Sequence, residues 1–464
     1  MTGRAAAPGA AVALAAVAMS NLLLAWDLTG IAITLPSLDA TFQPSASMLM
    51  WLQNTFPLAL AACAPLASFP ARRIGIRRTF IASAAVMTIA AAVTAAAPGT
   101  TVFLLGRLLL GAASAVAVAA GLALLTATRD AKGLSSAIAV TTAFTAAGLA
   151  LGPLASGLLI DLFSWRGVFA VHTALAAAIL LVSLPLLRTA RGDGEQAPPT
   201  SPSLALLLSA AILAGAVGVQ SLVDAPALGA ILIAGTVAAL TGFVLAERRA
   251  HSPFVPRRLR GSRVFSVTLA LGALVYAAVA ASQPFQSLLL QRAGWSATAA
   301  GLFLVAVTGG IAVGSGVSSW VVTRLGVRTT VITGLALSAI GTALLIGMST
   351  APIGLTVAAI GNLLSGVGVG IASPQALSWG MGAAEDPSTT APAATAQTTA
   401  RRAGSAYGYA LFSLLPAYGM SIAIATPIMF AIATVLMLAA LVAALQAPQN
   451  ASGSAERVAQ RRRW

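Results

Sequence analysis

The sequence predicts an all-α polytopic membrane protein with fourteen transmembrane helices, arranged as two six-helix bundles plus two extra central spans. Hydrophobic residues make up 58% of the 464 positions and charged residues only 8%, which is too apolar for a soluble domain of this length. Apolar windows long enough to cross a hydrocarbon core of about 30 Å recur along the whole chain. The protein is therefore expected to lie almost entirely within the bilayer.

Charged or Pro/Gly-rich breaks separate these apolar windows from one another. The first window has no convincing cleavage site, so we expect a retained span rather than a signal peptide. The fourteen predicted spans are 11–35, 50–69, 79–97, 101–126, 134–159, 167–187, 204–222, 227–246, 264–290, 298–321, 329–348, 352–375, 401–422 and 425–446.

Basic residues are concentrated in every second connecting loop and in the two tails. The chain has 26 Lys and Arg and a net charge of +15, and such one-sidedness predicts that both termini are cytoplasmic. The charges are spread over many loops, so we interpret them as topology anchors and expect no nucleic-acid partner. The sequence favours a multi-pass protein, monomeric, in the inner (plasma) membrane of a bacterium.

The two predicted bundles resemble one another in sequence, which indicates a parallel duplication. Three landmarks recur at nearly constant offsets: Arg73-Ile-Gly75-Ile-Arg77 and Arg324-Leu-Gly326-Val-Arg328, Gly106-Arg107 and Gly361-Asn362, Gly148-x-x-x-Gly152 and Gly404-x-x-x-Gly408. We therefore divide the chain into an N-terminal bundle at 1–187, a linker with two additional helices at 188–263, a C-terminal bundle at 264–446 and a basic cytoplasmic tail at 447–464.

A single carboxylate, Asp27, interrupts the first apolar window. A charge inside a membrane costs at least about 2.5 kcal/mol on insertion scales, so it is expected to be functional and to have a partner. Arg107 in the fourth span lies at a similar predicted depth below the outer boundary. The sequence predicts that the two side chains face one polar cavity, although Arg107 could instead reach the outer headgroups.

This plan resembles the major facilitator superfamily, specifically its fourteen-span drug:proton antiporter branch, and the resemblance implies the major facilitator fold. Asp27-x-Thr29 with Leu35-Pro36 is similar to the family's first-span motif, and Arg107 with Gly111 to its fourth-span motif. The loop after the second span looks like the family's loop motif, with Arg72 where the family has Asp: Arg72, Arg73, Gly75, Arg77, Arg78. The fifth span is similar to the exporter signature, with Ser156 replacing one glycine: Gly148, Gly152, Pro153, Ser156, Gly157.

These motifs also have physical interpretations of their own. Small residues on one stripe let two helix backbones approach, as in any Ala/Gly-rich membrane protein, and Pro153 removes a backbone hydrogen bond. The loop arginines could be topology anchors only. If the family's acid closes a cytoplasmic gate, Arg72 cannot replace it, and Asp130 or Asp386 would have to serve instead.

The resemblance implies a drug exporter, and the residues suggest that it is proton-coupled and works by alternating access, with Asp27 as the proton switch. Protonation from outside and substrate capture from inside would compete for this site, so that proton entry drives the exit of a drug or another small lipophilic compound. No Gly-x-x-x-x-Gly-Lys-Ser/Thr sequence is present to hold ATP phosphates. With one cysteine and two histidines, we expect no metal, no cofactor and no enzymatic activity.

The sequence specifies the substrate less closely than it specifies the proton site. Candidate cavity residues are polar or aromatic groups within the spans, each of which could equally be a packing residue: Trp26, Asn54, Phe56, Tyr276, Gln283, Phe285, Gln286, Asn362, Gln375 and Tyr407. An alternative function is an uncoupled exporter or flippase of an endogenous metabolite or lipid, in which Asp27 would only stabilise helix packing.

Overall fold

A computed structural model describes residues 8–187, 201–250, 253–255, 257–349, 352–382, 387–417 and 419–448. Fourteen long helices occupy this described part of the chain. They are α1 (Pro8–Phe42), α2 (Ala46–Cys63), α3 (Ile76–Ala95), α4 (Thr100–Thr128), α5 (Ala131–Phe163), α6 (Trp165–Ser183), α7 (Pro202–Ser221), α8 (Pro226–Arg249), α9 (Arg263–Arg292), α10 (Ala297–Leu325), α11 (Val327–Leu344), α12 (Pro352–Gly382), α13 (Pro387–Ala417) and α14 (Ile422–Gln446). The prediction of an all-helical polytopic protein is confirmed.

Thirteen of these described helices are long and apolar enough to cross a membrane, and α13 is the exception. The predicted thirteenth span, 401–422, is misplaced: the helix already begins at Pro387 and ends at Ala417. Its first half is rich in Thr, Ala and Gln and is followed by Arg401 and Arg402, so a hydropathy window rejects the segment. Both arginines therefore lie in the middle of a helix rather than at its start.

Two tight corners with the same local geometry connect α2 to α3 and α10 to α11. Gly75 has φ of 87° and Gly326 has φ of 74°, a left-handed region that glycine adopts without a Cβ penalty. The backbone carbonyl of each glycine accepts a 2.8 Å hydrogen bond from a threonine hydroxyl, of Thr79 and Thr330 respectively. The repeated Arg-x-Gly-x-Arg sequence thus forms the same turn twice.

The chain folds into two compact units. The first unit contains Met1–Pro199, Leu208–Val217 and Gln286–Val305, and the second contains Thr200–Leu207, Gly218–Phe285 and Ala306–Trp464. In the first unit, the C-terminal end of α1 and the N-terminal ends of α4 and α6 pack through aromatic rings of Phe42, Phe103 and Trp165 at centroid separations of 5.3–6.3 Å. Edge-on ring packing of this kind stabilises the bundle beyond its buried area.

In the second unit, α11 and α12 cross at very close range because both contribute glycines. A Cβ on Gly334 would lie 2.7 Å from the carbonyl oxygen of Gly368, and one on Gly341 would overlap the backbone nitrogen of Ser365. Helix association in lipid depends on such close backbone packing, because lipid tails are as apolar as the side chains.

The connection after α8 is organised by a buried carboxylate. The two oxygens of Glu247 accept hydrogen bonds from the backbone N–H groups of Phe254 and Val255 at 3.0 and 2.7 Å, and Arg260 lies 3.3 Å away. This arrangement folds the segment around Phe254 and Val255 back onto the end of α8, so Glu247 has a structural role in the turn.

Candidate proton-coupling site

The centre of the first unit contains a buried ion pair between α1 and α4. Nη1 of Arg107 donates a hydrogen bond to Oδ1 of Asp27, and the exposed fractions of the two residues are 0% and 1%. The structure thus brings together the two charged residues that the sequence placed at matching depth. Arg107 is held by its partner and does not reach towards a headgroup.

Aromatic rings surround the Arg107 guanidinium. Its central carbon lies 4.7 Å from the ring centroid of Phe56 on α2 and 5.6 Å from that of Phe169 on α6. A cation over ring faces is attracted by their quadrupole, and more strongly when water is excluded. Phe56, predicted as a cavity residue, is fully buried and packs against the arginine.

His172 on α6 joins this site, and the sequence reasoning missed it. Its Nδ1 lies 3.4 Å from Oδ1 of Asp27, and its ring packs edge-on against Trp26 and Phe169 at 5.0 and 5.7 Å. A histidine in the middle of an apolar span is a usable signal, because ionisable residues inside membranes are rare and usually functional. Only its potential as a metal ligand entered the prediction from sequence.

Several polar atoms of this cluster lack a hydrogen-bond partner among the described residues. They are Oδ2 of Asp27, Nε and Nη2 of Arg107, and both ring nitrogens of His172. Buried polar atoms are rarely left unsatisfied, and those that are often belong to sites that take up water or a proton. The cluster therefore has spare donor and acceptor capacity next to a carboxylate and an imidazole.

The exporter motif on α5 forms the contact surface for α1. A Cβ on Gly148 would overlap the carbonyl oxygen of Leu22, and one on Gly152 would overlap Oγ1 of Thr29. Ser156, which replaces a glycine of the family pattern, accepts a 2.9 Å hydrogen bond from Nε1 of Trp26. The substitution thus adds a polar contact directly beside Asp27.

Pro153 removes one hydrogen bond from the α5 backbone, and a side chain of α1 lies close enough to compensate for it. Proline has no N–H to donate to the carbonyl of Leu149, four residues earlier. The hydroxyl of Thr29 lies 3.3 Å from that carbonyl oxygen and 3.2 Å from the carbonyl oxygen of Ala25 in its own helix, so it can donate to either, in the way that Ser and Thr side chains satisfy freed backbone groups in membrane helices. Thr29 thus links the first-span motif to the exporter motif.

We predict that Gly148→Ala will lower stability by about 1–3 kcal/mol, the usual cost of overpacking. The new methyl group would clash with backbone of α1, which cannot rotate away as a side chain can. Thermal unfolding of the purified protein in detergent measures the effect. Gly235→Ala on α8 is the matched control, because nothing lies within 4 Å of its Cβ; equal unfolding temperatures for the two variants would contradict the prediction.

The C-terminal ends of α1 and α5 are joined by hydrogen bonds and an ion pair to residues 286–305, which belong to the first unit. The Asp161 carboxylate accepts hydrogen bonds from the backbone N–H groups of Ala297 and Thr298 at 3.2 and 2.9 Å. Asp39 pairs with Arg292 at 3.3 Å. A carboxylate at the N-terminus of α10 is favourable because free N–H groups and the helix dipole are both directed at it.

The loop motif lies apart from these contacts. Arg72 packs over the ring of Phe69 at 5.3 Å, and Arg73 and Arg78 are exposed while Arg77 is half-buried. The Asp130 carboxylate caps α5 by accepting a 2.9 Å hydrogen bond from the N–H of Gly133. Asp386, the other acid considered for the gate, lies outside the described residues.

The predicted cavity residues are distributed over both units. Trp26, Asn54, Phe56 and Gln286 belong to the first, and Tyr276, Gln283, Phe285, Asn362, Gln375 and Tyr407 to the second. Gln375 donates a 2.9 Å hydrogen bond to Ser318, which gives it a packing role. Tyr276 lies against Arg401, with 5.5 Å between its ring centroid and the guanidinium carbon, and the sequence assigns this arginine to the cytoplasmic edge of a span.

Comparison with known proteins agrees with this architecture. The Major Facilitator Superfamily profile matches residues 17–409. The tetracenomycin C resistance and export protein of Streptomyces glaucescens is 30% identical over 77% of this chain, and the multidrug resistance protein Stp of Mycobacterium tuberculosis is 24% identical over 76%. The matched region spans 66% of each of these relatives.

Solved transporter structures share the fold. The POT family transporter PepTSo superposes with a TM-score of 0.70 at 15% identity, covering 94% of this chain and 97% of that one. Identity at this level supports the fold alone. The family match, by contrast, extends over most of the sequence and includes the first-span acid, Arg107 and the exporter motif, so the chain belongs to the Major Facilitator Superfamily.

Proposed function

We propose that the protein is a proton-coupled exporter of drugs or other small lipophilic compounds, which works as an antiporter by alternating access. Its family makes it a multi-pass membrane transporter rather than an enzyme. The relatives named for resistance and export support the direction of transport. The observation that carries proton coupling is the buried cluster of Asp27, Arg107 and His172.

The charges of this cluster are suited to a conformational switch that responds to protonation of Asp27. An ionised Asp27 is attracted to Arg107 and is stable only while the pair is intact, because an unpaired charge in a low-dielectric interior is costly. Protonation of Asp27 removes the attraction and releases the guanidinium. Two conformations that differ in this contact would then differ in proton affinity, which is the condition for coupling proton movement to a conformational change.

Further features of the proposal follow from the sequence. We place the protein in the inner membrane of a bacterium as a monomer with both termini in the cytoplasm, on the basis of the one-sided distribution of its basic residues. Proton entry from the outside would then run down the gradient that respiration maintains, and substrate would leave in the opposite direction.

Inverted membrane vesicles test this proposal directly. Respiration acidifies their interior, so an exporter in the cytoplasmic orientation would accumulate substrate inside. We expect gradient-dependent uptake of a lipophilic probe such as ethidium or tetracenomycin C, the compound in one relative's name, and loss of uptake when nigericin dissipates the pH difference. Uptake that persists unchanged after the pH difference is removed would favour an uncoupled exporter or flippase.

We also predict that His172→Phe will lower gradient-driven transport by about 3- to 10-fold. The ring packing on Trp26 and Phe169 would be kept, but the nitrogen 3.4 Å from Asp27 would be lost. A positioned acid–base group typically contributes about 10²-fold or more to a proton-transfer step, of which a cycle limited by conformational change reveals only part. Initial rates in vesicles measure the loss; a rate equal to that of the unmodified protein would remove His172 from the proton site.

A further inference from the structure

Arg401 is a positive charge in the middle of α13, within the second unit. It lies about 21 Å along the helix axis from Pro387, at 1.5 Å per residue. Its Nη2 donates a 2.5 Å hydrogen bond to the backbone carbonyl oxygen of Ser373 on α12. A Cβ on Gly272 of α9 would lie 2.9 Å from Cγ of Arg401, so this glycine leaves room for the arginine side chain.

No acidic residue on the C-terminal helices can neutralise this charge. Between Arg263 and Gln446 the only carboxylates in the sequence are Glu385 and Asp386. Both lie outside the described residues, and the described helices α9 to α14 contain no Asp or Glu. Nε of Arg401 is buried and has no hydrogen-bond partner among the described residues. Buried polar atoms without a partner are rare in proteins and call for an explanation such as a bound ligand, ion or water.

The contacts of Arg401 do not fit a topology anchor. An arginine that only orients a helix extends its guanidinium towards water or headgroups. Here the guanidinium turns to the neighbouring helices, towards the ring of Tyr276 and the carbonyl of Ser373. The hydroxyl of Tyr276 accepts a 3.3 Å hydrogen bond from the Ser373 hydroxyl. Arg401, Tyr276 and Ser373 therefore form one connected polar cluster.

An apolar cleft adjoins this group. Its walls include Leu271, Val275, Leu335 and Ala376, and in this conformation it has a volume of about 10 Å³, room for a single water molecule. The cleft is lined by the Arg401 cation, the phenol ring of Tyr276 and aliphatic side chains. A planar anion attached to an aromatic or apolar body would satisfy all three, since a guanidinium binds carboxylates through two parallel hydrogen bonds.

We propose that Arg401 recognises a carboxylate or a similar planar anionic group on the transported compound, and that the cleft widens to admit it. This inference rests on the proposed export function but not on its proton coupling. It also changes the expected electrical behaviour. If one proton enters while one organic anion leaves, two positive charges move inward per cycle, so export of anions would be driven by the membrane potential as well as by pH.

Binding to the purified full-length protein tests the assignment without any gradient. The probes are 9-anthroate and its methyl ester, which differ only in the anionic group. We expect Arg401→Gln to weaken 9-anthroate binding at least tenfold and to leave ester binding within about twofold. Arg401→Lys keeps the charge but loses the two-pronged geometry, so we expect an intermediate loss.

Arg324→Gln is the matched control, because Arg324 also packs over an aromatic ring, that of Trp320 at 4.6 Å, but is exposed at the end of α10. It should bind both probes normally.

Equal weakening of acid and ester by Arg401→Gln would indicate a structural role and overturn the proposal, as would unaltered or undetectable 9-anthroate binding. If the anion is instead a lipid phosphate, the variant would lose affinity for phosphatidylglycerol in nanodiscs and keep that for 9-anthroate. The binding measurement uses no proton gradient, so a failure of proton coupling would leave its result unchanged and the two failures can be told apart.

Discussion

Asp27→Asn is expected to abolish proton-driven efflux while leaving the protein able to bind substrate. The amide keeps the size of the side chain and can still accept a hydrogen bond from Arg107, but it cannot take up a proton from the outside. Arg107 then lacks its counter-charge, so the variant should also be less stable, and transport is compared at equal amounts of folded, inserted protein. Accumulation in inverted vesicles should fall to the level of vesicles that lack the transporter. Exchange of labelled for unlabelled substrate, which needs no net proton movement, should persist at a measurable rate.

The control for this variant is Asp39→Asn. Asp39 also pairs with an arginine, Arg292 at 3.3 Å, but both side chains are partly exposed, and exposed pairs contribute only about 0–1 kcal/mol. We expect its transport to stay within about twofold of the unmodified protein. Undiminished gradient-driven efflux by Asp27→Asn, in protein that is folded and inserted, would refute the assignment of Asp27 as the proton switch.

The position of the ion pair could be predicted because charge inside a membrane is rare. Asp27 and Arg107 are each noticeable in the sequence as lone charges in apolar windows, and helical rise alone places them at similar depths. His172 is not found by this reasoning because it follows only Asp, Glu, Lys and Arg, although a histidine within an apolar span is itself a usable signal. The same applies to Ser156, whose bond to Trp26 depends on how α1 and α5 face one another.

The start of the helix that carries Arg401 is misplaced by the sequence for a physical reason. A hydropathy window selects the apolar residues that follow Arg402. The predicted span therefore starts at 401 and has both arginines at its cytoplasmic end. The helix in fact begins at Pro387, because the Thr- and Ala-rich stretch before Arg401 is compatible with a helix even though it is not apolar enough for a window. Only the contacts to Tyr276 and Ser373 reveal that the charge turns inward.

Helix α1 connects the proton site to the exporter motif. Trp26 packs on His172 and donates to Ser156, and the Thr29 hydroxyl can donate to the carbonyl that Pro153 leaves free. These side chains flank Asp27 within one turn of helix. A change in the bend of α5 at Pro153 would therefore move groups that touch the ion pair, which gives the motif a physical route by which to influence proton binding.

Arg107→Gln is expected to destabilise the protein strongly, and combining it with Asp27→Asn is expected to restore stability without restoring transport. Removing one member of a buried ion pair leaves the other uncompensated, at a cost of about 3–5 kcal/mol, whereas replacing both members by neutral groups is often close to neutral. The single variant should unfold at a clearly lower temperature in detergent. The double variant should unfold near the temperature of the unmodified protein and show no proton-driven efflux.

This recovery distinguishes the pair from a mere packing contact. Additive losses of stability in the double variant would mean that the two side chains act independently, contrary to their direct hydrogen bond. Gradient-driven efflux by the double variant would be equally damaging to the proposal, because neither a carboxylate nor its counter-charge would then be needed. Stability that returns while coupling does not would assign the charges of Asp27 and Arg107 to energy conversion rather than to folding.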